Sequence, residues 1–230
     1  PRDLEWKVRY GEQVDWERLR RRLRESVHLL DNLIDICTLP VPARSILSLM
    51  GFADLLVQLK IRYDSDKALQ IAREILMFVK QDVKKAGDEL GKHRGMKNRS
   101  NIAIMYSPTH FIAQATVGFA PIGSLARKHM LDETELIDVH PYFAQMLRQE
   151  GAFSESIVKK IMEQGSLKGV FIPAWIKRIF VTAREIPLDF QLRMQALVSE
   201  FSEGAVVLHA GKDVHAEEAM HLALQDFKSR

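Results

Sequence analysis

The chain has 230 residues, 47% of them hydrophobic and 27% charged, with a net charge of +3. That balance describes a globular protein with a sizeable core and excludes a disordered or fibrous chain. No apolar run approaches the roughly 20 residues of a membrane span. No signal peptide is visible, and the charge is too mild to demand nucleic acid. The single cysteine, Cys37, rules out an internal disulfide and fits a reducing compartment.

Trp6, Val8 and Tyr10 alternate with polar residues before Gln13, which predicts an edge strand or an arm lying on another surface. Asp15 is a good helix cap. Behind it Trp16, Leu19, Leu23, Val27, Leu30, Ile34 and Cys37 recur at spacings of three and four, the buried stripe of a helix of about six turns. Cys37 falls on that stripe as a buried thiol, with no activating base beside it. Arg18, Arg20, Arg21, Arg22 and Arg24 occupy the rest of its first half. Such a run reads as a solvated or subunit-facing surface, with a phosphate-binding face as the alternative. Its place at the positive end of the helix dipole hints that an acidic partner compensates.

Leu39-Pro-Val-Pro42 breaks the helix. Ser45 to Met50 reads as a strand and Phe52 to Leu59 as a helix, with Gly51 turning between them; one continuous helix through Gly51 is the alternative. Ser65 caps the next helix. Its stripe is Leu69, Ala72, Leu76, Val79, Val83, Ala86 and Leu90, and Gly91 and Gly95 are expected to end it. Lys92 to Arg99 reads as a basic loop.

The stretch that organises the rest runs from Asn101 to Gln114. Ile102, Ala103, Ile104 and Met105 form a buried strand, stopped at Ser107-Pro108 because proline cannot donate to a ladder. Thr109 follows at the carboxyl end of the strand, where ligands bind in α/β proteins. Phe111 to Leu125 reads as buried loop and turn. Helices are then expected over Pro141–Glu150, Ser154–Gln164, Pro173–Ala183 and Pro187–Glu200. Ala205 to Leu208 is a late strand, and Asp213 caps a last helix.

Catalytic signatures are missing. There is no Gly-rich dinucleotide motif, no phosphate-binding P-loop and no nucleophile elbow. His215, Glu217, Glu218 and His221 share a helix, but the two histidines are six apart and face different ways, so no metal site is expected. His140 and His209 read as structural histidines. The residues by themselves give an α/β fold without an identifiable catalytic set.

Several stretches, in order, resemble the large subunit of ribonucleotide reductase, most closely the adenosylcobalamin-dependent (class II) kind. They are Val14-Asp-Trp-Glu-Arg-Leu19, His28-Leu-Leu-Asp-Asn-Leu-Ile-Asp35, Met50-Gly-Phe-Ala-Asp-Leu-Leu56, Tyr63-Asp-Ser65 and Arg99 to Thr109. His140-Pro-Tyr142, Gly165-Ser-Leu167 and Leu192-Arg-Met-Gln195 follow. The resemblance covers the part of that enzyme after its radical-bearing loop. It implies the helix-rich later half of a ten-stranded α/β barrel, forming a single domain over residues 1–230.

The family's Asn-Pro-Cys-Gly-Glu segment and C-terminal cysteine pair are absent. The family's substrate-phosphate turn reads here Pro108-Thr-His-Phe-Ile-Ala113. It leaves Ser107 and Thr109 as the candidate phosphate-binding residues, while His110 blocks the close backbone approach that glycine would allow. The carboxylate that follows in the family becomes Ala120.

The resemblance therefore implies an accessory chain that lacks the radical cysteine and is not catalytic alone. It would serve deoxyribonucleotide synthesis in the cytoplasm beside a catalytic chain that holds adenosylcobalamin. This chain would bind no cofactor itself, with a ribonucleotide as candidate ligand and no membrane partner. Two alternatives stay open. The chain could complete the active site in trans at the phosphate turn, or it could be a module whose arginine face takes an acidic partner or nucleic acid.

Overall fold

A computed structural model describes residues 14–36, 45–47, 49–95, 97–98, 100–102, 118–131 and 134–201. In chain order the elements are α1 (Trp16–Ile36), β1 (Ser45–Leu47), α2 (Phe52–Gln58), α3 (Asp66–Arg94), β2 (Ser100–Ile102), β3 (Ala126–Leu131) and β4 (Thr134–Val139). Helices α4 (Pro141–Gln149), α5 (Glu155–Gln164) and α6 (Ala174–Ile179) follow, then a 3-10 turn (Ala183–Glu185) and α7 (Leu188–Ser199). Among the described residues the strands form two separate pairs, β1 with β2 and β3 with β4. None of the described helices is long and apolar enough to cross a membrane.

The chain divides into two compact units. The first draws on Pro1–Ser48, Arg73–Ile104 and Ser199–Gly204. Here α1 starts where the Asp15 carboxylate accepts the Arg18 N–H at 2.9 Å, and Trp16, Leu23 and Val27 of its predicted stripe are buried. Trp16 meets Phe78 edge-on at 4.8 Å, Arg20 reaches Asp82 at 3.0 Å, and Arg94 reaches Asp31 at 2.8 Å. These pairs climb both helices in the same direction, so α1 and the later part of α3 run parallel. β1 and β2 are parallel too, with Ile46 opposite Asn101.

Gly91 does not end α3, contrary to expectation. The helix continues to Arg94 and stops at Gly95, whose φ of 64° is the left-handed turn that glycine supplies. Lys92, His93 and Arg94 are thus the last helical turn, where cations suit the dipole, and not the start of a basic loop. One turn earlier, a methyl on Gly87 would stand 2.2 Å from the amide oxygen of Asn98. Glycine there leaves room for Asn98 to donate to the Lys84 carbonyl and the Asp88 carboxylate.

The second unit draws on Leu49–Ala72, Met105–Val198 and Ala205–Arg230. Gly51, with φ 84°, caps α2, which removes the alternative of one helix running through it. Ser65 caps α3 as expected, its hydroxyl accepting the Ala68 N–H at 3.2 Å. The core is aromatic: Phe119 stacks on Phe52 at 4.5 Å, and Tyr63 meets both Phe52 and Phe190 edge-on. Phe143 meets Phe180 edge-on at 5.0 Å.

Two features of this unit differ from the sequence reading. The β3–β4 hairpin pairs Ala126 with Val139 through Leu131 with Thr134, and it carries none of the glycine or asparagine turn signals by which hairpins are recognised. The helix expected over Pro173–Ala183 ends at Ile179. Val181 and Thr182 are β-branched and prefer extended backbone, and Thr182 bridges to Ile122. The Ala183 N–H donates to the Ile122 carbonyl at 2.7 Å. Thr182 then caps the 3-10 turn, with its N–H and hydroxyl both donating to Glu185.

Candidate functional site

Ser107 and Thr109, the predicted phosphate-binding residues, lie outside the described residues, as do Cys37, His209 and the set His215, Glu217, Glu218 and His221. The described residues that flank this stretch in sequence are β2 before it, whose Ser100, Asn101 and Ile102 are in parallel register with β1, and Gly118 and Phe119 after it. Gly118 has φ 51°, and its carbonyl accepts the Phe52 N–H at 3.3 Å. Phe119 is 1% exposed, and its carbonyl accepts the Tyr63 hydroxyl at 2.5 Å. Gly118 and Phe119 are thus bonded to α2 and to Tyr63, two residues before the Ser65 cap of α3.

A buried polar pair lies in the same unit. His140 precedes α4, and its Nε2 sits 2.8 Å from Asp54 Oδ1 on α2. The two side chains are 7% and 8% exposed. Phe180 packs edge-on against the imidazole at 5.9 Å. With Asp54 accepting from Nε2–H, the lone pair falls on Nδ1. That nitrogen is buried and has no hydrogen-bond partner among the described residues. The reading of His140 as a satisfied structural histidine holds at Nε2 and not at Nδ1, and its carboxylate partner was missed. The available signal was Asp54 itself, an acid within the apolar face made by Phe52, Ala53, Leu56 and Val57. A buried carboxylate needs a bonded partner.

The arginines of α1 form the third feature. Glu17, Arg20, Arg21, Arg24, Glu25 and His28 line a cavity of about 600 Å³. Acids within the chain answer much of the charge. Arg20 bonds Glu17 at 2.5 Å and Asp82 at 3.0 Å, and Arg22 bonds Glu25 at 2.9 Å. The bond to Glu17 is the main reason the Arg20 guanidinium holds its proton even more tightly than usual. The acidic partner hinted at by the helix dipole is not needed for these pairs, because Glu17, Glu25 and Asp82 of the same chain answer them. Among the described residues no group of three or more His, Cys, Asp or Glu is placed to hold a metal.

Comparison with known proteins gives these features their setting. The family model for the ribonucleotide reductase barrel domain matches residues 4–98 and 79–228. The chain belongs to the ribonucleotide reductase barrel family. A vitamin B12-dependent ribonucleoside-diphosphate reductase of Thermoplasma acidophilum is 32% identical over 223 residues, covering 85% of this chain and 29% of that protein. The protein of the same description from Mycobacterium tuberculosis is 30% identical over 220 residues, covering 84% of this chain and 32% of its own length. The chain thus spans about three-tenths of the curated reductases it matches.

Its fold is similar to that of the class Id ribonucleotide reductase alpha subunit of Actinobacillus ureae. The TM-score is 0.65 at 19% identity, over 80% of this chain and 36% of the other. The resemblance read from the motifs is borne out: the relatives are class II reductases, matched along most of the chain.

Proposed function

We propose that this chain is an accessory subunit of a class II ribonucleotide reductase, supporting deoxyribonucleotide synthesis without being catalytic alone. The observation that carries the reading is a reductase barrel sequence, matched along 84–85% of the chain, whose counterpart of the family's phosphate turn keeps Pro108, Thr109 and Ile112 but has His110, Phe111 and Ala113 at the other positions. In this reading residues 1–230, both compact units included, belong to one reductase-barrel domain, the helix-rich later half of a ten-stranded α/β barrel. It works in the cytoplasm beside a catalytic chain that carries the radical cysteine and adenosylcobalamin, and no residue of this chain is assigned to that cofactor.

The test is a reductase assay of the purified catalytic chain, with and without this one, using adenosylcobalamin and a ribonucleoside diphosphate. Stimulated turnover together with co-migration on a sizing column is the expected result. Neither effect would overturn the reading.

A second reading is favoured by the retained Pro108, Thr109 and Ile112 of the phosphate turn. In it the chain completes the active site in trans, with Ser107 and Thr109 donating to a nucleotide phosphate. Thr109→Ala should then raise KM for the diphosphate in the assembled complex by about tenfold, the worth of one hydrogen bond to a charged group. Unchanged kinetics would remove this second reading and leave the accessory role standing. The basic face of α1 as a nucleic-acid site has the least support, because Arg20, Arg21 and Arg22 are engaged by acids of the same chain.

A further inference from the structure

Helix α1 has two apolar faces, where a helix packed on one side needs one. Trp16, Leu23 and Val27 fill the inner face and are buried. Leu29, Leu33 and Ile36 follow one another at spacings of four and three along the opposite side. Their exposures are 61%, 44% and 75%. At 3.6 residues per turn these three fall on one line. Arg18, Arg22 and Glu25 extend the same face toward the start of the helix.

Single exposed leucines on a surface need no explanation. Three in register on one helix do, because each leaves apolar area in water that burial would make favourable. A helix that is apolar on both sides is one made to be covered on both.

The comparisons indicate what covers it. In the matched reductases the counterpart of this stretch is about three-tenths of a larger polypeptide, so there α1 has the remainder of a reductase to fold with. We propose that the Leu29–Leu33–Ile36 face of α1 docks the catalytic chain of a class II reductase. The matching surface is apolar, with a carboxylate opposite Arg18 to set its direction along the helix. The inference rests on the accessory role argued above and names the surface through which that role is exercised.

The decisive variant is Leu29→Lys with Leu33→Glu, which leaves the net charge unchanged. The wild-type chain and the purified catalytic chain are expected to co-elute, with a stoichiometry given by light scattering. The double variant is expected to bind roughly a hundredfold more weakly, with its own thermal midpoint unchanged because both side chains are exposed. Leu29→Ala with Leu33→Ala, a gentler change, should weaken binding roughly tenfold and keeps the test decisive should the charged pair disturb folding.

Binding by the variants at wild-type strength would overturn this inference while leaving the accessory role intact. Absence of binding by the wild type would overturn both. A homodimer that the variant dissolves, without any heterocomplex, would assign the face to a second copy of this chain and also overturn the proposal.

Discussion

The two units are held together differently. In the second, rings meet rings: Phe52, Tyr63, Phe119 and Phe190 form one aromatic group, and Phe143 with Phe180 another. In the first, the ring contact described is Trp16 on Phe78. Much of what ties its helices together is charge: Arg20 with Asp82, Arg94 with Asp31 and Asp35, and Arg73 with Glu200.

Partly exposed ion pairs contribute about 0–1 kcal/mol each, whereas a buried aromatic side chain contributes about 1.5–3 kcal/mol or more. The second unit thus carries much of its stability in aromatic packing. The first combines an aliphatic seam, with Leu23, Val27, Leu76, Val79 and Val83 buried, and ion pairs with an apolar outer face on α1. An element so arranged gains most from being covered, and that is why the docking surface is assigned to it.

The comparison breaks most easily in the aromatic core. Phe119 is almost fully buried, stacks on Phe52 and offers its carbonyl to Tyr63. Phe119→Ala should cost about 3–5 kcal/mol, the usual loss when a buried phenylalanine leaves a cavity. Urea unfolding measures the total, and amide exchange resolved along the chain should show the loss in α2 and around Tyr63. A loss below about 1 kcal/mol would mean that the rings are not what holds this unit.

A smaller effect is expected at the buried polar pair. Asp54→Ala removes the carboxylate bonded to His140 Nε2 and leaves an imidazole with both nitrogens unanswered among the described residues. The expected cost is about 1–3 kcal/mol, the penalty for an unsatisfied buried polar group. His140→Gln, whose longer side chain can still donate an N–H toward Asp54, should lose less. Equal losses in the two variants would show that packing against Phe180, and not the hydrogen bond, is what the site supplies.

Long amphipathic elements were legible in the sequence, because their period is set by burial on one side. Of the α1 stripe Trp16, Leu23 and Val27 are buried and Leu19, Leu30 and Ile34 half-buried; of the α3 stripe all but Leu69 are buried, with Ala68, Ile71 and Ile75 beside them. The caps at Asp15, Ser65 and Ser154 hold their helix starts. Features that depend on distant partners were not legible. Gly91 reads as a stop, yet it lies within α3 and is buried there. Thr182 turns extended because Ile122 is beside it, a contact some sixty residues away in sequence. Between β3 and β4 the sequence holds Asp132 and Glu133 and no glycine, so local chemistry did not announce the pairing.

The candidate site was legible only by resemblance. A phosphate turn of small residues has no period, and the Asp54–His140 pair joins residues 86 positions apart. The outer stripe of α1 was visible as letters but not as a surface, since a sequence shows which residues are apolar and not which of them remain uncovered.

The smallest expected effect sharpens the contrast from the other side. Glu25 bonds Arg22 at 2.9 Å and approaches Arg21 at 3.9 Å, with all three side chains half exposed or more. Glu25→Gln should change stability by no more than about 0.5 kcal/mol, the usual worth of exposed helix pairs one turn apart. The change should shrink further in salt, since screening removes what little attraction water leaves. Thermal unfolding at low and high ionic strength measures both. The same substitution removes a negative charge from the face beside Arg18 and Arg22, and a catalytic chain presenting carboxylates there should bind somewhat tighter to this variant at low salt. A loss of stability beyond about 1 kcal/mol, insensitive to salt, would mean that the arginine face is a structural network in its own right, and the contrast between the units would have to be redrawn.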